Sequence, residues 1–344
     1  MSYKIHSNCL MFISGLIFML FFQSTYAQND LSELDQLIEQ KKAQLGGQVA
    51  VVVWSGDSIA YQKQTGELTV NSQEPIGFAS AWLTAALVMT FVDQGKLSLD
   101  DPVSKYLPIY SKYAKKYLTI RHCLANTTGL EGEKGGVQKF FQKTKFTLLE
   151  EQVNSFASSR EIVHNPGEAF SYNNIGSNIA GRVLEVVGKK PFDRLMQERI
   201  FRPLGMKRSS FSMDMAVNPA SGAVSTPLDY IKFLAMLLNK GSFKGKTILS
   251  EAAVAEMQKI QSNGVPSVFT PKAAEGFDYG LGAWIQEQND KGEAIILSSP
   301  GLSGGWPYID NLRKYACIIF VPSKGKEEPK EPYLQIMDAL RDSF

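Results

Sequence analysis

Residues spaced for acyl transfer are rare in this chain of 344 residues. A serine can attack a carbonyl carbon when a base one helical turn away takes its proton, and Ser-x-x-Lys is one spacing that does this. That spacing occurs once, at Ser323 and Lys326. Charged residues and prolines surround the pair, which favours a surface turn over a catalytic helix. We therefore do not expect Ser323 to be a nucleophile.

The three histidines are isolated from one another in the sequence. His6 lies near the N-terminus, His122 lies in a segment with a helical pattern, and His164 precedes Asn-Pro-Gly, which predicts a turn. A metal site needs several ligands close together, and a Ser-His-Asp triad needs both partners of the histidine. We expect His122 to be a hydrogen-bonded helix residue, and we predict no metal ion or other cofactor.

Tyr172 and Asn174 form the clearest candidate pair, and they follow Pro166 and Gly167. A tyrosine hydroxyl can relay protons, and an asparagine amide can hold an amide or carbonyl group of a ligand. The same two residues could instead be a buried core tyrosine and a helix cap. The residues alone leave both interpretations open.

A long apolar helix is predicted within residues 75–102. Apolar side chains recur at i, i+3, i+4 and i+7, and small residues occupy much of the remaining surface, which places such a helix in the core. Gly95 is expected to end it in the left-handed conformation, and Asp101-Pro102 to lead the chain away.

Strand patterns stand at both ends of the chain. A helix over 30–45, capped by Asn29 or Asp30, precedes strands at 48–54 and 58–63. Helical patterns dominate from residue 75 to about 257. Further strands are predicted at 279–284, 293–298, 308–309 and 315–321, followed by a closing helix at 333–341.

These segments together resemble the serine β-lactamase and penicillin-binding protein superfamily, especially its class C and esterase-like branch. The resemblance covers roughly residues 45 to 340, in the correct order. It is carried by the segments Tyr117–Leu130 (YLTIRHCLANTTGL, with Asn126 where a histidine is frequent), Pro166–Asn174, Ile200–Met206 and Asn218–Thr226.

The resemblance implies an α+β fold with an antiparallel sheet built from both chain ends, flanked by helices. A mostly helical lobe would be inserted into it. We expect the α/β lobe at about 28–74 and 276–344, and the helical lobe at about 75–275.

At the positions of the catalytic pair, this chain departs from the family. Relative to Gly95-Lys96-Leu97, the nucleophilic serine falls on Phe78 and the lysine on Ala81. Phenylalanine has no lone pair to attack with, and alanine supplies no base. Ser80 lies two residues from Phe78, roughly 200° round a helix, so its hydroxyl should point away from the nucleophile position.

The other two family motifs fall on identifiable residues. Tyr172 and Asn174 match the second motif, Tyr-x-Asn, and this resemblance favours a functional over a purely structural interpretation of them. The third motif, Lys-Thr-Gly or His-x-Gly, falls on Ser299, Pro300 and Gly301. Gly301 keeps the small residue that admits substrate, whereas Pro300 removes a backbone donor. The candidate ligand-binding residues are therefore Phe78, Ala81, Tyr172, Asn174, Ser299 and Gly301.

An intact family member would acylate its serine with a β-lactam, a D-alanyl peptide or a small ester. Loss of nucleophile and base together predicts a pseudoenzyme that binds in the old cleft. Its ligand would be a small acyl, peptidoglycan-derived or ester compound, or its partner an envelope protein. The alternative is a hydrolase with displaced machinery, using Ser80 or a Tyr172-activated water. A purely structural role in the envelope is a third interpretation, and Ser299 is not expected to be a new nucleophile.

The first 27 residues have the features of a secretory signal peptide. Lys4 precedes an apolar run from Leu10 to Phe22, and Ser24-Thr-Tyr-Ala27 resembles a cleavage site. We expect a periplasmic or secreted protein with no stable membrane anchor after cleavage.

The net charge bears on nucleic-acid binding, and the cysteine content bears on disulfide formation. A formal net charge of +2 does not imply binding to nucleic acid. Of the three cysteines, Cys9 would be removed with the signal peptide. Cys123 and Cys317 lie in apolar contexts, which favours buried free thiols over a disulfide.

Overall fold

The computed structural model describes residues 31–132, 144–211, 215–262, 264–300, 304–322 and 329–344. The predicted signal peptide at 1–27, Gly301 and the Ser323/Lys326 pair lie outside these residues. The strands are β1 (Val49–Ser55), β2 (Ser58–Thr65), β3 (Glu74–Pro75), β4 (Phe170–Ser171), β5 (Ser210–Phe211), β6 (Ala223–Ser225), β7 (Ser242–Phe243), β8 (Lys246–Thr247), β9 (Ser267–Phe269), β10 (Asp278–Tyr279), β11 (Trp284–Gln288), β12 (Ala294–Ser298), β13 (Trp306–Asp310) and β14 (Tyr315–Phe320). The α-helices are α1 (Ser32–Lys41), α2 (Ala79–Val92), α3 (Ile109–Lys112), α4 (Ile120–Leu124), α5 (Leu149–Ser159), α6 (Ile175–Gly188), α7 (Phe192–Met196), α8 (Arg202–Leu204), α9 (Pro227–Leu238), α10 (Glu251–Met257) and α11 (Glu331–Ser343).

The main sheet has seven strands in the order β10-β11-β12-β13-β14-β1-β2, and every neighbouring pair in it is antiparallel. The N-terminal strand β1 lies between its hairpin partner β2 and the C-terminal strand β14, with Val52 opposite Gln62 on one side and Ile318 on the other. Both ends of the chain therefore build one sheet. This arrangement, with helices packed on it, confirms the predicted fold class.

Strand β1 is buried on both faces of the sheet. Val51 and Val53 pack with Leu34 of α1 and Leu340 of α11, whereas Val52 belongs to the core on the opposite face, which α9 covers. A strand covered on both sides needs apolar residues at every position. This explains the continuous apolar run of β1.

Helix α2 is the central helix of the larger core. Each of its residues from Ala79 to Phe91 is buried, as the apolar pattern predicts. Gly95 has a φ of 64°, and the N–H of Lys96 donates to the carbonyl of Phe91 at 3.0 Å. The predicted glycine end of this helix is therefore confirmed.

Two sequence-based expectations are wrong in detail. Helix α1 ends at Lys41 rather than at residue 45, and the expected cap residues Asn29 and Asp30 lie outside the described residues. The single strand expected at 279–284 is instead the end of β10, a turn and the start of β11. Gly282 in that turn has a φ of 82°, a conformation outside the β region, so the strand cannot continue through it.

Cys123 lies in α4 and Cys317 in β14, and both are free and buried. They belong to the cores on opposite faces of the sheet, so the expectation of free thiols is confirmed. Within the described residues, no helix combines the length and the apolar character needed to span a membrane.

Candidate functional site

Phe78 occupies the N-terminus of α2, where the resemblance places a nucleophile. Gly77 precedes it with a φ of 50° and turns the chain into the helix. The side chain of Phe78 is only 2% exposed, and its ring centroid lies 5.1 Å from that of Tyr172, with the planes tilted by 41°. The start of α2 therefore carries a buried ring that packs on Tyr172.

Three further aromatic side chains surround this contact, and we call the five together the aromatic cluster. Tyr172 lies 4.9 Å from Trp284 and 5.7 Å from Tyr279, and Tyr279 lies 4.8 Å from Trp284. Each such pair contributes about 0.5 to 1.5 kcal/mol beyond its buried area. The cluster consists of Phe78, Phe170, Tyr172, Tyr279 and Trp284.

The surroundings of Tyr172 keep its hydroxyl protonated. Burial raises the pKa of Tyr172 above its ordinary value, and a hydrogen bond with Trp284 opposes this only in part. A phenol that holds its proton at neutral pH is a poor general base. The buried, protonated hydroxyl of Tyr172 is therefore not suited to activate a water molecule.

Ser80 is used as a structural hydroxyl. Its Oγ donates to the carbonyl of Gly77 at 2.5 Å and accepts from the N–H of Ala223 at 3.0 Å. These two bonds fasten the start of α2 to β6, in a site where the side chain is fully buried. The prediction that this hydroxyl points away from the nucleophile position agrees with these contacts.

The two adjacent asparagines at the start of α6 have different environments. Asn173 accepts from the N–H of Ile175 at 2.8 Å through Oδ1 and donates to the carbonyl of Ser171 at 2.7 Å through Nδ2. Asn174 makes no capping bond, and its Oδ1 is buried without a hydrogen-bond partner in the described part of the chain. The capping interpretation therefore belongs to Asn173, and it leaves the amide oxygen of Asn174 available.

One turn along α6, a second amide is partly unsatisfied. Asn178 accepts from the N–H of Ala220 at 3.1 Å, but its Nδ2 is buried without a partner among the described residues. The neighbouring carbonyl of Pro219 accepts from Thr84 of α2 at 2.7 Å. The loop at 219–220 thus connects α2 and α6.

Ala81 and Asn174 lie between this connection and the aromatic cluster. On α2, Ala81 is one turn after Phe78 and one turn before Thr84. On α6, Asn174 lies between Tyr172 and Asn178. Each of the two residues thus lies between the contact of Phe78 with Tyr172 and the connection through the loop at 219–220.

Asn126 and His122 position the motif from the preceding segment. Asn126 has a φ of 57°; its carbonyl accepts from Ser171 at 2.9 Å, and its Oδ1 accepts from the N–H of Asn173 at 3.2 Å. His122 forms a reciprocal cap with Thr119, and burial lowers the pKa of its imidazole. His122 is thus a hydrogen-bonded helix histidine, as expected.

The third motif lies at the end of β12. Ser299 is buried, and its N–H donates to the carbonyl of Pro307 at 3.0 Å, which extends the pairing of β12 with β13 by one residue. Ser298 beside it lies opposite Trp284 of the aromatic cluster. Ser299 therefore stands at the edge of the same region, while Gly301 lies outside the described residues.

No base accompanies these hydroxyls in the structure as described. Neither Ser80 nor Ser299 is hydrogen-bonded to a lysine or histidine side chain among residues 31–132 and the later described ranges. The same ranges hold no group of three or more histidine, cysteine, aspartate or glutamate side chains placed to bind a metal ion.

Several residues of this region escape prediction from the sequence. The cluster partners Phe170, Tyr279 and Trp284 come from distant segments, and no local pattern pairs them. Asn126 and Asn178 likewise act through contacts far along the chain. Only the left-handed tendency of asparagine offered a signal, at Asn126.

Comparison with known proteins places this chain in a family. The sequence model of the Beta-lactamase family matches residues 34–340. The chain is 24% identical over 251 residues to the D-alanyl-D-alanine-carboxypeptidase/endopeptidase AmpH of Escherichia coli. The aligned stretch covers 65% of this chain and 63% of that protein. The chain thus spans less than two thirds of that relative's length.

Solved structures agree with the fold. A β-lactamase-family structure from Bacteroides dorei superimposes with a TM-score of 0.82 at 27% identity, covering 92% of this chain and 99% of that one. The octameric penicillin-binding protein homologue of Pyrococcus abyssi gives 0.73 at 23% identity, with 90% and 76% coverage. The hydrolase EstCE1 gives 0.75 at 17% identity, with 91% and 99% coverage. With the family match spanning nearly all of the described chain, the protein belongs to the β-lactamase family, as its sequence motifs indicate.

Proposed function

We propose that this protein is a non-acylating member of the β-lactamase family, exported from the cytoplasm, that binds a ligand or partner through its old active-site cleft. The observation that carries the proposal is the packing of the Phe78 ring on Tyr172, both 2% exposed. A serine in place of Phe78 would present a hydroxyl to this tyrosine. The ring instead offers only carbon atoms and excludes water from the site.

The amide of Asn174 supports a binding role. A buried carbonyl oxygen without a donor costs about 1 to 3 kcal/mol. Asn174 Oδ1 is such an oxygen within the described residues, and a ligand with an N–H or O–H group would remove the cost. Peptidoglycan-derived peptides and small acyl amides carry such donors.

Covalent labelling with a fluorescent penicillin tests the loss of acylation. We expect no labelled band after denaturing electrophoresis, while an active penicillin-binding protein treated in parallel is labelled. Ser80→Ala and Ser299→Ala variants serve as controls for serine dependence. Stoichiometric labelling of the wild type that disappears in either variant would refute the proposal.

Binding through the cleft has its own measurement. Titration calorimetry with acetyl-D-alanyl-D-alanine should detect binding to the wild type and a loss of affinity of about fivefold or more in Asn174→Ala. Asn289, a partly exposed asparagine in the turn between β11 and β12, provides the matched variant Asn289→Ala. Equal affinity in all three proteins would show that Asn174 does not contribute.

A hydrolase with displaced machinery is the second candidate, because Tyr172 and Asn174 are retained and EstCE1 shares the fold. The bonds of Ser80 to Gly77 and Ala223, and the protonated state of Tyr172, argue against it. Turnover of p-nitrophenyl esters that vanishes in Tyr172→Phe or Ser80→Ala would support this candidate. A rate unchanged by both substitutions would exclude it.

Export rests on the sequence of the first 27 residues, with Lys4, the apolar run and the small residues before Gln28. We expect the mature protein in the periplasm or the medium to begin at Gln28. Mass spectrometry of the N-terminal peptide after expression in a secreting host measures this. An uncleaved chain that stays in the cytoplasm would contradict it.

A further inference from the structure

A cavity of about 400 Å³ lies away from the aromatic cluster, between the β1–β2 hairpin and the start of α9. No residue of the aromatic cluster lines it. Its walls come from the ends of β1 and β2, the turn after α8, the first turns of α9 and the end of β7. A volume of this size is in the range of sites for small organic ligands.

One side of the cavity is apolar and aromatic. Trp54 and Phe243 line it with their ring centroids 5.5 Å apart and their planes at 44°. Ile59 lies beside them and is 40% exposed, although it is an apolar residue at the cavity wall. Trp54 and Phe243 are only 5% and 6% exposed, so the apolar part of a ligand would bury mainly Ile59 and the small exposed parts of the two rings.

The other side of the cavity carries positive charge. Lys207, Arg208, Lys232 and Lys244 line it together with a single carboxylate, that of Asp229. In the described residues, no carboxylate lies within ion-pair distance of Lys207 or Lys244. Lys244 instead lies over the ring of Phe243, with its Nζ 5.6 Å from the ring centroid.

Asp229 does not neutralise these free cations, because its oxygens are already engaged. Oδ1 accepts from Lys232 at 2.8 Å, and Oδ2 accepts from the backbone N–H of Arg208 at 2.6 Å and from Ser209 at 3.2 Å. The guanidinium of Arg208 donates to the carbonyl of Asn71 at 3.1 Å. The cavity therefore keeps an excess of positive charge next to an apolar wall.

We propose that this cavity is a second binding site, for a small amphiphilic anion: a compact aromatic body carrying one carboxylate, sulfonate or phosphate group. The body would lie against Trp54, Ile59 and Phe243, and the anionic group would face Lys207 and Lys244. The aromatic wall favours a flat body, and the excess of cations favours an anion over a neutral or cationic compound.

The test uses two fluorescent probes that share an aromatic body and differ in charge. 8-Anilinonaphthalene-1-sulfonate is the anionic probe, and N-phenyl-1-naphthylamine is the neutral one. Both are titrated into the folded full-length protein, and circular dichroism confirms that each variant keeps the wild-type fold. We expect the wild type to bind the anionic probe more tightly than the neutral one.

Substitutions at exposed lining residues locate the site. Ile59→Glu places a carboxylate at the wall and should lower the affinity for the anionic probe about fivefold or more. Ile59→Arg should keep this affinity within about twofold of the wild-type value. The double variant Lys207→Gln/Lys244→Gln should lower the affinity for the anionic probe and leave the affinity for the neutral probe unchanged. Lys96→Gln/Lys291→Gln removes two exposed lysines elsewhere and is the matched control.

Equal weakening by the Lys96/Lys291 control would overturn the proposal, since general charge rather than this cavity would then attract the anion. Equal affinities of Ile59→Glu and Ile59→Arg would overturn it as well. Addition of anionic phospholipid vesicles distinguishes a lipid from a free aromatic acid. Binding of the chain to vesicles, with no binding of the soluble anionic probe, would contradict the choice of a small free anion.

Discussion

Two adjacent asparagines at the start of α6 have different roles: Asn173 caps the helix, and Asn174 keeps a free amide oxygen in the described structure. Asn173 Oδ1 satisfies the first free N–H of the helix, and Asn174 Oδ1 has no partner in the described structure. Loss of a capping side chain costs about 1 kcal/mol, whereas removal of an unsatisfied buried oxygen costs little.

We therefore expect Asn173→Ala to lower the free energy of unfolding by about 1 to 2 kcal/mol and Asn174→Ala to leave it within about 0.5 kcal/mol. Urea denaturation followed by circular dichroism measures both. A greater loss in Asn174→Ala than in Asn173→Ala would show that Asn174 has a structural partner that this geometry lacks.

Phe78 and Ala81 can be exchanged for the residues that the family places there. In Phe78→Ser/Ala81→Lys, a hydroxyl and an amine would lie one helical turn apart, with the hydroxyl beside Tyr172. We expect slow labelling by a fluorescent penicillin, because Tyr172 and Asn174 of the second motif are retained while the third motif is replaced.

The control Phe78→Ala/Ala81→Lys opens the same space and supplies the amine without the hydroxyl, so it should remain unlabelled. Loss of the buried ring costs about 3 kcal/mol or more, and both variants are therefore compared at low temperature. Equal labelling of the two would mean that the new serine is not the nucleophile.

At the scale of elements, the turn between β10 and β11 fits directly against α2. A Cβ on Gly282 would lie 2.7 Å from both the carbonyl oxygen of Ala81 and the Cβ of Ala85. Gly95, at the other end of α2, has a similar positive φ and nothing within 4 Å of such an atom. The two glycines separate the cost of backbone conformation from the cost of a steric clash.

Gly95→Ala should lose about 1 kcal/mol of stability, since only the left-handed backbone is penalised. Gly282→Ala should lose about 3 kcal/mol or more, because α2 and the sheet must also move apart. Differences in the midpoint of urea unfolding give both values. Similar losses would mean that the contact between the turn and α2 yields easily.

Elements with strong local patterns could be predicted from the sequence. Apolar residues within 82–91 recur with helical spacing, and these residues form part of α2. The apolar run of β1 predicts a buried strand. The positive φ of Gly282 was not visible, because Gly-Leu-Gly-Ala is compatible with either a strand or a turn. The capping role that the sequence allows for Asn174 is taken by Asn173, and two adjacent asparagines give no local signal to tell them apart.

The site could be predicted only in part. Motif spacing located Phe78, Tyr172 and Asn174 in one region, and the contact of Phe78 with Tyr172 agrees with that. It could not show that Trp284 and Tyr279 close the cluster, since those contacts join segments more than a hundred residues apart. Nor did any sequence pattern indicate the cationic cavity, whose lining comes from five separate segments.

At the scale of the whole molecule, one core joins the sheet and the helices. Val52 of β1 and Ile318 of β14 belong to the same hydrophobic cluster as Leu83 and Phe91 of α2. Tyr230 of α9 also donates to the carbonyl of Ala79 at 2.9 Å. A shared core of this kind favours unfolding as one cooperative unit, and the pairing of the N-terminal strand β1 with the C-terminal strand β14 joins both ends of the chain to it.

This cooperativity predicts that damage on the outer face of the sheet reaches α2 on the inner face. Leu340 of α11 is fully buried in the outer core, and Leu340→Asp should cost about 3 to 5 kcal/mol, because it buries an unpaired charge. Asp338→Asn, an exposed change on the same helix, should cost less than about 0.5 kcal/mol. In hydrogen exchange, Leu340→Asp should lower the protection of slowly exchanging amides in α2 as much as in β14, because both open through global unfolding. If the amides of α2 kept their wild-type protection while those of β14 lost theirs, the sheet and the helical part would unfold as separate units.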